Sequence, residues 1–413
     1  MKLLLYGINF APELTGIGKF TGAMAAWFAK AGHEVRVITA PPYYPTWKVA
    51  AGYSALEYRK EPWQGTQVFR TPLWVPEQPG GIKRLIHLAS FALGSLPVLL
   101  AQWNWEPDVV WVVEPPLMCA PAVAAFSLLR GAKCWLHIQD YEVDAAFNLG
   151  LIKGKTLRRF IEGAERWLMR WFDRVSTISG SMVERAQAKG VPAGKVLHFP
   201  NWVDIGDISP LAEPSPYRAE LGLADDTVVA LYSGNMGNKQ GLEILSDVAR
   251  RMQDDSRVKF IFGGNGSGRA DLEKRCSGLH NVRFLDLQPQ ERLNDWLGLA
   301  DVHLLPQRAK AADLVMPSKL TGMLASGRPV LATANAGTEL GRVVARDAAC
   351  GLVVPPEDAV AMAQALRALV ADPARRTEMG ANGRRYAERE LSKDTILRRF
   401  ESQLQALVQE RRR

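Results

Sequence analysis

The chain has 413 residues, 47% of them apolar and 23% charged, with a formal net charge of +8. This composition supports two or three domains with well-filled cores, and it excludes a disordered, collagen-like or disulfide-stapled chain. The four cysteines (Cys119, Cys134, Cys276, Cys350) lack C-x-x-C spacing, which argues against disulfides and structural zinc and fits a reducing compartment.

No charge-free apolar run reaches the ~18–20 residues of a clean transmembrane helix. Met1–Gly7 reads as a buried first strand rather than a secretory signal, because its apolar stretch is short and Asn9 and Pro12 follow. The expectation is a cytoplasmic protein. Residues 1–205 hold 22 Lys+Arg against 16 Asp+Glu, and eleven of the twelve tryptophans precede residue 203. A basic, Trp-rich half suits an anionic or interfacial partner, such as a membrane surface or a lipid-linked phosphate. No basic, aromatic-rich strip of the kind that binds nucleic acid is evident.

In chain order, short Val/Ile/Leu-rich runs alternate with helical patterns. Leu3–Tyr6, Val35–Thr39, Val109–Val113, Lys133–Ile138, Val175–Ile178 and Val196–Phe199 read as buried parallel strands. Helices are expected near 18–31, 83–102, 118–130, 155–172 and 180–189. Ile205–Pro216 carries Gly206 and three prolines without apolar periodicity, and reads as a linker. The alternation restarts with strands at Val228–Ser233, Lys259–Gly263, Val282–Leu285, Val302–Leu305, Val330–Ala332 and Leu352–Val354. Ser392–Arg413 is amphipathic, with Ile396, Leu397, Phe400, Leu404 and Leu407 on one face. The predicted fold class is α/β, with two doubly wound Rossmann-like domains facing a central cleft. The domains are 1–205 and 206–391, with 392–413 a helix crossing back to the first.

In such folds ligands lie beyond the carboxyl ends of the strands. After the first strand, Gly16 and Gly18 precede a helix and suit the approach of an anion, or a plain turn. Trp135–Asp144 places His137, Asp140, Glu142 and Asp144 at a strand end, where they suit acid/base work or sugar hydroxyls. Its H-x-x-D-x-E-x-D pattern is only loosely compatible with a metal. Two glycine-rich turns follow in the second half. Gly234, Asn235 and Lys239 belong to one and Asn265 to the other, where bare amides and a cation suit a diphosphate. Arg308 opens a further loop that leads to Pro317, Ser318 and Lys319 in a helical first turn. A lysine there opposes the macrodipole unless an anion is bound.

These elements resemble the retaining GT-B glycosyltransferases of family four over nearly the whole chain. The likeness is carried by Asn9–Gly18, Ala31-Gly32-His33-Glu34-Val35, Pro200-Asn201-Trp202-Val203-Asp204, Asn281–Leu285, Ala300-Asp301-Val302 and Ala325–Val330. The usual phosphate loop G-R-L-x-x-x-K-G reads Gly234-Asn235-Met236-Gly237-Asn238-Lys239-Gln240-Gly241. The usual E-x7-E pair falls at Leu314 and Gly322, so both carboxylates are missing. The chain therefore resembles the subgroup with G-N-x-G and P-S-K motifs, found among exopolysaccharide and O-antigen enzymes.

The resemblance implies sugar transfer with retention from a GDP- or UDP-linked donor, such as a deoxyhexose like fucose. It places the nucleotide-sugar on the second domain and the acceptor on the first, with no cofactor and no metal; the basic, Trp-rich segments of the first half add a lipid-linked saccharide acceptor at the inner face of the cytoplasmic membrane. The resemblance places His137 near the donor sugar, and Lys319 in the role of the missing cation. With no obvious carboxylate nucleophile, front-face displacement is expected, with Asp140 or Glu142 as the alternative nucleophile. The apolar stretch Ile82–Trp105 and the basic segment Leu157–Arg174 are candidate interfacial elements, or ordinary packing helices. The rival readings are an enzyme with a soluble acceptor and a catalytically silent GT-B regulator.

Overall fold

The computed structural model describes residues 1–13, 16–78, 80–148, 155–237, 240–309 and 317–410, leaving aside the side chains of 145, 146, 148, 155 and 157. Two compact units divide the chain: Met1–Pro200 with Leu397–Arg413, and Asn201–Ile396.

Unit one is built on β1 (Lys2–Tyr6), β2 (Glu34–Thr39), β3 (Arg59–Trp63), β4 (Thr66–Arg70), β5 (Val109–Glu114), β6 (Lys133–Ile138), β7 (Arg174–Thr177) and β8 (Val196–His198). They form one sheet in the order β3-β4-β2-β1-β5-β6-β7-β8. All pairs are parallel except β3–β4. The helices are α1 (Gly16–Lys30), α2 (Gly81–Ala101), α3 (Ala120–Arg130), α4 (Glu142–Asn148), α5 (Lys155–Met169) and α6 (Gly180–Ala188).

Strand alternation sorts the side chains onto two faces. Leu4, Tyr6, Val110, Val112, Cys134 and Leu136 pack under α2, α3, α5 and α6, through Phe91, Leu99, Phe126, Met169 and Phe172. On the opposite face Trp111 and Trp135 meet Phe400, whose ring lies 4.8 Å from that of Trp135. Phe400 sits on the last helix, Lys393–Gln409, which also joins Glu401 to His33 (2.7 Å) and Glu410 to Arg174 (2.7 Å).

The β3–β4 hairpin is the element missing from the sequence reading. Gln64 (φ 43°) and Gly65 (φ 80°) make its two-residue turn, in the left-handed region that such hairpins need. Arg59–Trp63 is an exposed edge strand carrying Pro62, so it shows no apolar run.

Unit two contains, in chain order, α7 (Pro216–Glu220), β9 (Val228–Ser233), α8 (Glu243–Arg251), β10 (Val258–Gly263), α9 (Arg269–Arg275), β11 (Val282–Leu285), α10 (Leu293–Gly298), β12 (Val302–Leu305), α11 (Lys319–Ala325), β13 (Val330–Thr333), α12 (Glu339–Arg342), β14 (Gly351–Val354), α13 (Ala359–Ala371) and α14 (Pro373–Tyr386). Its parallel sheet has the order β11-β10-β9-β12-β13-β14. The Lys393–Gln409 helix is α15.

Two expectations about the boundary are corrected. The division falls after Pro200, not at 205, because Val203 bridges Ser392 and Asp204 pairs with Lys393 inside unit two. Residues 205–216 are not a free linker. Ile208 is buried, the Ser209 amide donates to Asn294 (2.9 Å), and the Arg384 guanidinium donates to the Ile205 and Ile208 carbonyls. The prolines fix this segment as irregular chain lying on the unit.

Candidate functional site

In unit one, the loops after β1, β2, β5 and β6 gather at the carboxyl end of the sheet. Glu13 organises the first two. Its carboxylate accepts from Asn9 Nδ2 (2.9 Å) and from the Tyr43 and Tyr44 amides (3.1 and 3.0 Å). Burial raises its pKa above the usual carboxylate range, and those donors pull it back. A Cβ on Gly18 would lie 2.5 Å from Glu13 Oε2, so Gly18 is set by this close approach. Gly16 (φ 65°) is exposed at the start of α1, against the Tyr44 ring.

Tyr44 is half-buried. Burial first, then the Asp140 and Glu13 carboxylates, push its phenol pKa up, while Arg84 opposes them. Arg84 also acts on Tyr43 and Glu142. Gly16, Tyr44, Arg84 and Asp140 thus form one electrostatic neighbourhood. Arg84 lies in the Ile82–Trp105 stretch that the sequence marks as a candidate interfacial element, whereas Tyr44 is not marked by it. The signal for Tyr44 was the Pro41–Pro45 turn directly after β2.

Glu142 begins α4. Its Oε2 accepts from the Leu117 amide (2.8 Å), and its own amide donates to Glu114 Oε1 (3.1 Å). Glu114 is fully buried, with Oε2 unpartnered among the described residues. Burial, with Glu165 and Glu142 nearby, raises its pKa well above the usual range. Burial raises that of Glu142 as well. Asp144 is tied to Arg185 (2.6 Å) and Lys189 (3.2 Å), so it stabilises the fold of α4 onto α6.

His137 does not project beyond the sheet as expected. It still lies within β6, paired laterally with Val113 and Ser176, on the face covered by α15. The ring is 1% exposed, stacks on Trp111 (5.1 Å, 19°), and bonds Ser176 Oγ (2.9 Å) and Gln139 Nε2 (3.0 Å). Burial lowers its pKa to about 3, so it is a neutral imidazole at neutral pH.

In unit two, the glycine-rich turns after β9 and β10 lie against each other. A Cβ on Gly264 (φ 139°) would fall 1.9 Å from the Gly234 carbonyl. The Gly234 amide donates to Gly263 O (2.9 Å), the Met236 amide to Asn265 O (2.9 Å), and the Gly237 amide to Gln240 Oε1 (3.1 Å). These three amides are engaged within the two turns and are not bare. Asn235 is exposed, whereas the Asn265 side chain accepts from Arg269 (2.6 Å). Arg308 is paired with Glu243 (2.7 Å) and packs on Gly241. Lys239 lies outside the described residues, as does Leu314.

Lys319 opens α11, after half-buried Pro317 and exposed Ser318. Its ammonium donates to Tyr232 Oη (2.9 Å), lies 4.2 Å from the centre of that ring, and sits beside Gly234. Tyr232 Oη is in turn 2.7 Å from Asn235 O and 2.8 Å from Gln240 Oε1. Burial pushes the Lys319 ammonium down to about 7, and among the described residues no carboxylate offsets that cost. A cation held this way, at the carboxyl end of a parallel sheet, is equipped to receive an anion. Among the described residues no His/Cys/Asp/Glu group is arranged to hold a metal ion.

Residues 15–202 match the family model of the glycosyl transferase 4-like domain, and residues 227–372 that of glycosyl transferases group 1. The chain belongs to the GT-B glycosyltransferases of family four. It is 46% identical over 407 residues to the Escherichia coli K12 protein named as a colanic acid biosynthesis glycosyl transferase, WcaI, covering 97% of this chain and 98% of that one. Two solved structures share the fold. Sucrose-phosphate synthase from Thermosynechococcus elongatus has a TM-score of 0.74 at 17% identity, covering 98% of both chains. Anabaena HepE, solved with UDP-glucose, has a TM-score of 0.70 at 15% identity, covering 98% of this chain and 100% of that one.

Proposed function

We propose that the chain is a retaining, nucleotide-sugar-dependent glycosyltransferase of exopolysaccharide synthesis. It moves a deoxyhexose such as fucose from a GDP- or UDP-linked donor to a lipid-linked saccharide, without a metal. The likeness to WcaI supports the pathway of the colanic-acid kind, and the UDP-glucose complex of HepE supports a nucleotide-sugar donor. The observation that carries the reading is Lys319, a desolvated cation with no carboxylate partner among the described residues. Departure of a nucleoside diphosphate leaves charge on its outer phosphate, and a preorganised ammonium in a low-dielectric site stabilises that charge. Donor binding returns Lys319 to its charged form by proton uptake.

On the acceptor side, Asp140, whose charge acts on the Tyr44 phenol, is the carboxylate assigned to the acceptor, and Glu142 accepts from the Leu117 amide. With Asp140 orienting hydroxyls, the leaving phosphate takes the acceptor proton in a front-face displacement. Neutral, buried His137 holds the Gln139–Asp140 segment in position.

The enzyme works at the cytoplasmic face of the membrane. Helices α2, α3 and α5 bury residues in one cluster against one sheet face, so their outer faces look the same way. Those outer faces expose Ile82, Leu93 and Leu100 on α2, Leu128 and Leu129 on α3, and Phe160, Trp167 and Trp171 on and just after α5. Lys83, Arg159, Arg166 and Arg170 are exposed among them. Apolar and cationic side chains on one helical layer complement an anionic bilayer surface. Among the described residues, α2 is the one helix long and apolar enough to cross a membrane, which the sequence reading had not expected. It packs Leu88, Phe91, Ser95 and Leu99 into the core, which favours a surface role. The test is to incubate the purified protein with GDP-fucose, UDP-glucose and UDP-galactose and to measure nucleotide release. Slow release from one donor is expected. No release from any would sink the reading.

A further inference from the structure

A cavity of about 220 Å3 opens at the carboxyl edge of the unit-one sheet, lined by Pro41, Tyr53, Ser54, Glu57, Arg59 and Arg70. The β3–β4 hairpin builds its floor. Arg59 and Arg70 stand opposite each other in the ladder, and β4 runs parallel to β2 with Arg70 level with Thr39. The cavity is therefore on the same rim as the loops carrying Gly16, Tyr44 and Asp140.

The floor is rigid. Glu61 takes Arg70 (2.8 Å) on one carboxylate oxygen and Arg59 (3.0 Å) on the other. Both guanidinium groups lie over the Tyr53 ring, at 4.9 and 5.0 Å. Arg70, 2% exposed, continues from the cavity to the Ala40 carbonyl (3.0 Å) and the Ala11 carbonyl (2.6 Å), in the loops after β2 and β1. The mouth is mixed in character. Leu56 and Tyr58 are 86% and 56% exposed, and the exposed Glu57 makes no ion pair or side-chain hydrogen bond among the described residues. A carboxylate, a serine hydroxyl and a guanidinium edge beside exposed apolar groups match the alternating hydroxyls and C–H faces of a sugar ring. The volume is below the roughly 300–1,000 Å3 of drug-sized pockets, which limits the occupant to about one ring.

We propose that this cavity is a subsite for one sugar ring of the acceptor, with Glu57 and Ser54 taking its hydroxyls and Arg59 closing one side. This rests on the reading of the chain as a glycosyltransferase whose unit one takes the acceptor. Arg70 ties the subsite to the loop that carries Gly16, so a ring seated here is registered against the transfer site rather than held at a remote surface.

The test is ligand-observed NMR with the methyl glycosides of glucose, galactose and glucuronic acid, each at millimolar concentration. At least one should bind the wild-type protein. Its signal should fall at least fivefold in Glu57→Gln and in Ser54→Ala, with thermal midpoints unchanged. GDP and UDP binding should be the same in both variants, and GDP-fucose should not displace the glycoside. The proposal is overturned if no glycoside binds, if binding survives both substitutions, or if the nucleotide-sugar displaces it, since the cavity would then be a donor subsite. If neither GDP nor UDP binds the wild-type protein, the donor reading fails instead, and the glycoside titrations still decide the subsite.

Discussion

Replacing Lys319 by methionine should make the ligand-free protein more stable and the nucleotide-bound protein harder to form. The fall of the ammonium from 10.5 to about 7 corresponds to about 5 kcal/mol against charging it in the folded chain. At pH 7 an unfolded lysine is fully protonated and the folded one about half so. The unfolded state therefore binds more protons, and stability rises with pH from about 7 to about 10.5. Methionine fills a similar volume with no charge to desolvate. It forfeits the bond to Tyr232 Oη, worth about 1 kcal/mol. The net gain is about 2–3 kcal/mol once relaxation is allowed for, or about 4–12 °C in a unit of this size. Diphosphate affinity should drop about 10–100-fold, the loss of one charge-assisted contact of about 1.5–3 kcal/mol. Nucleoside affinity should not move. The assays are thermal unfolding of the free protein and calorimetric titration with GDP, UDP and the bare nucleosides. A destabilised Lys319→Met variant with unchanged diphosphate affinity would refute the reasoning, because Lys319 would then be a structural residue.

Three further outcomes are expected. Asp140→Asn should lower kcat about 100-fold with little change in donor affinity, since loosening the acceptor by about 1 Å costs about 10²-fold in rate; equal activity would remove Asp140 from the chemistry. His137 and His303 are buried neutral imidazoles with pKa values lowered to about 3, so the unfolded chain binds more protons below about 6.5 and stability falls with acid. Between pH 6.5 and 4.5 the loss per histidine should be about 2–3 kcal/mol, and denaturant titrations of His137→Gln should show a flatter slope for unit one. Replacing both Trp167 and Trp171 by serine should weaken binding to phosphatidylglycerol vesicles at least tenfold, as each buried aromatic contributes about 1.5–3 kcal/mol. Unchanged co-sedimentation would place the contact elsewhere.

Much of the fold was legible because buried parallel strands announce themselves. Runs such as Val109–Glu114 and Val228–Ser233 are apolar on both faces and bracketed by turn residues. The β3–β4 hairpin was not legible, since an edge strand reading Arg-Lys-Glu-Pro-Trp has no apolar face; the Gln64-Gly65 turn was its one signal. The glycine positions at 234, 264 and 266 were visible, but their cause was not. They let two loops meet backbone to backbone, a long-range contact that local spacing cannot encode. Lys319 was visible as a cation in a helical first turn. Its desolvation against Tyr232 was not, because the two residues are 87 positions apart. For His137 the sequence located the end of the strand, but the burying face is supplied by Phe199 and by α15, which carries Phe400.

The most direct measurement is calorimetric titration of the protein with GDP, UDP, ADP and CMP, with and without magnesium, in two buffers of different ionisation enthalpy at pH 8. The account predicts that one nucleoside diphosphate binds without magnesium and takes up close to one proton, and that the affinity falls about tenfold per pH unit above 7 until the bound lysine itself titrates. Binding by none of the four, or binding without proton uptake and unaffected by pH, would contradict it.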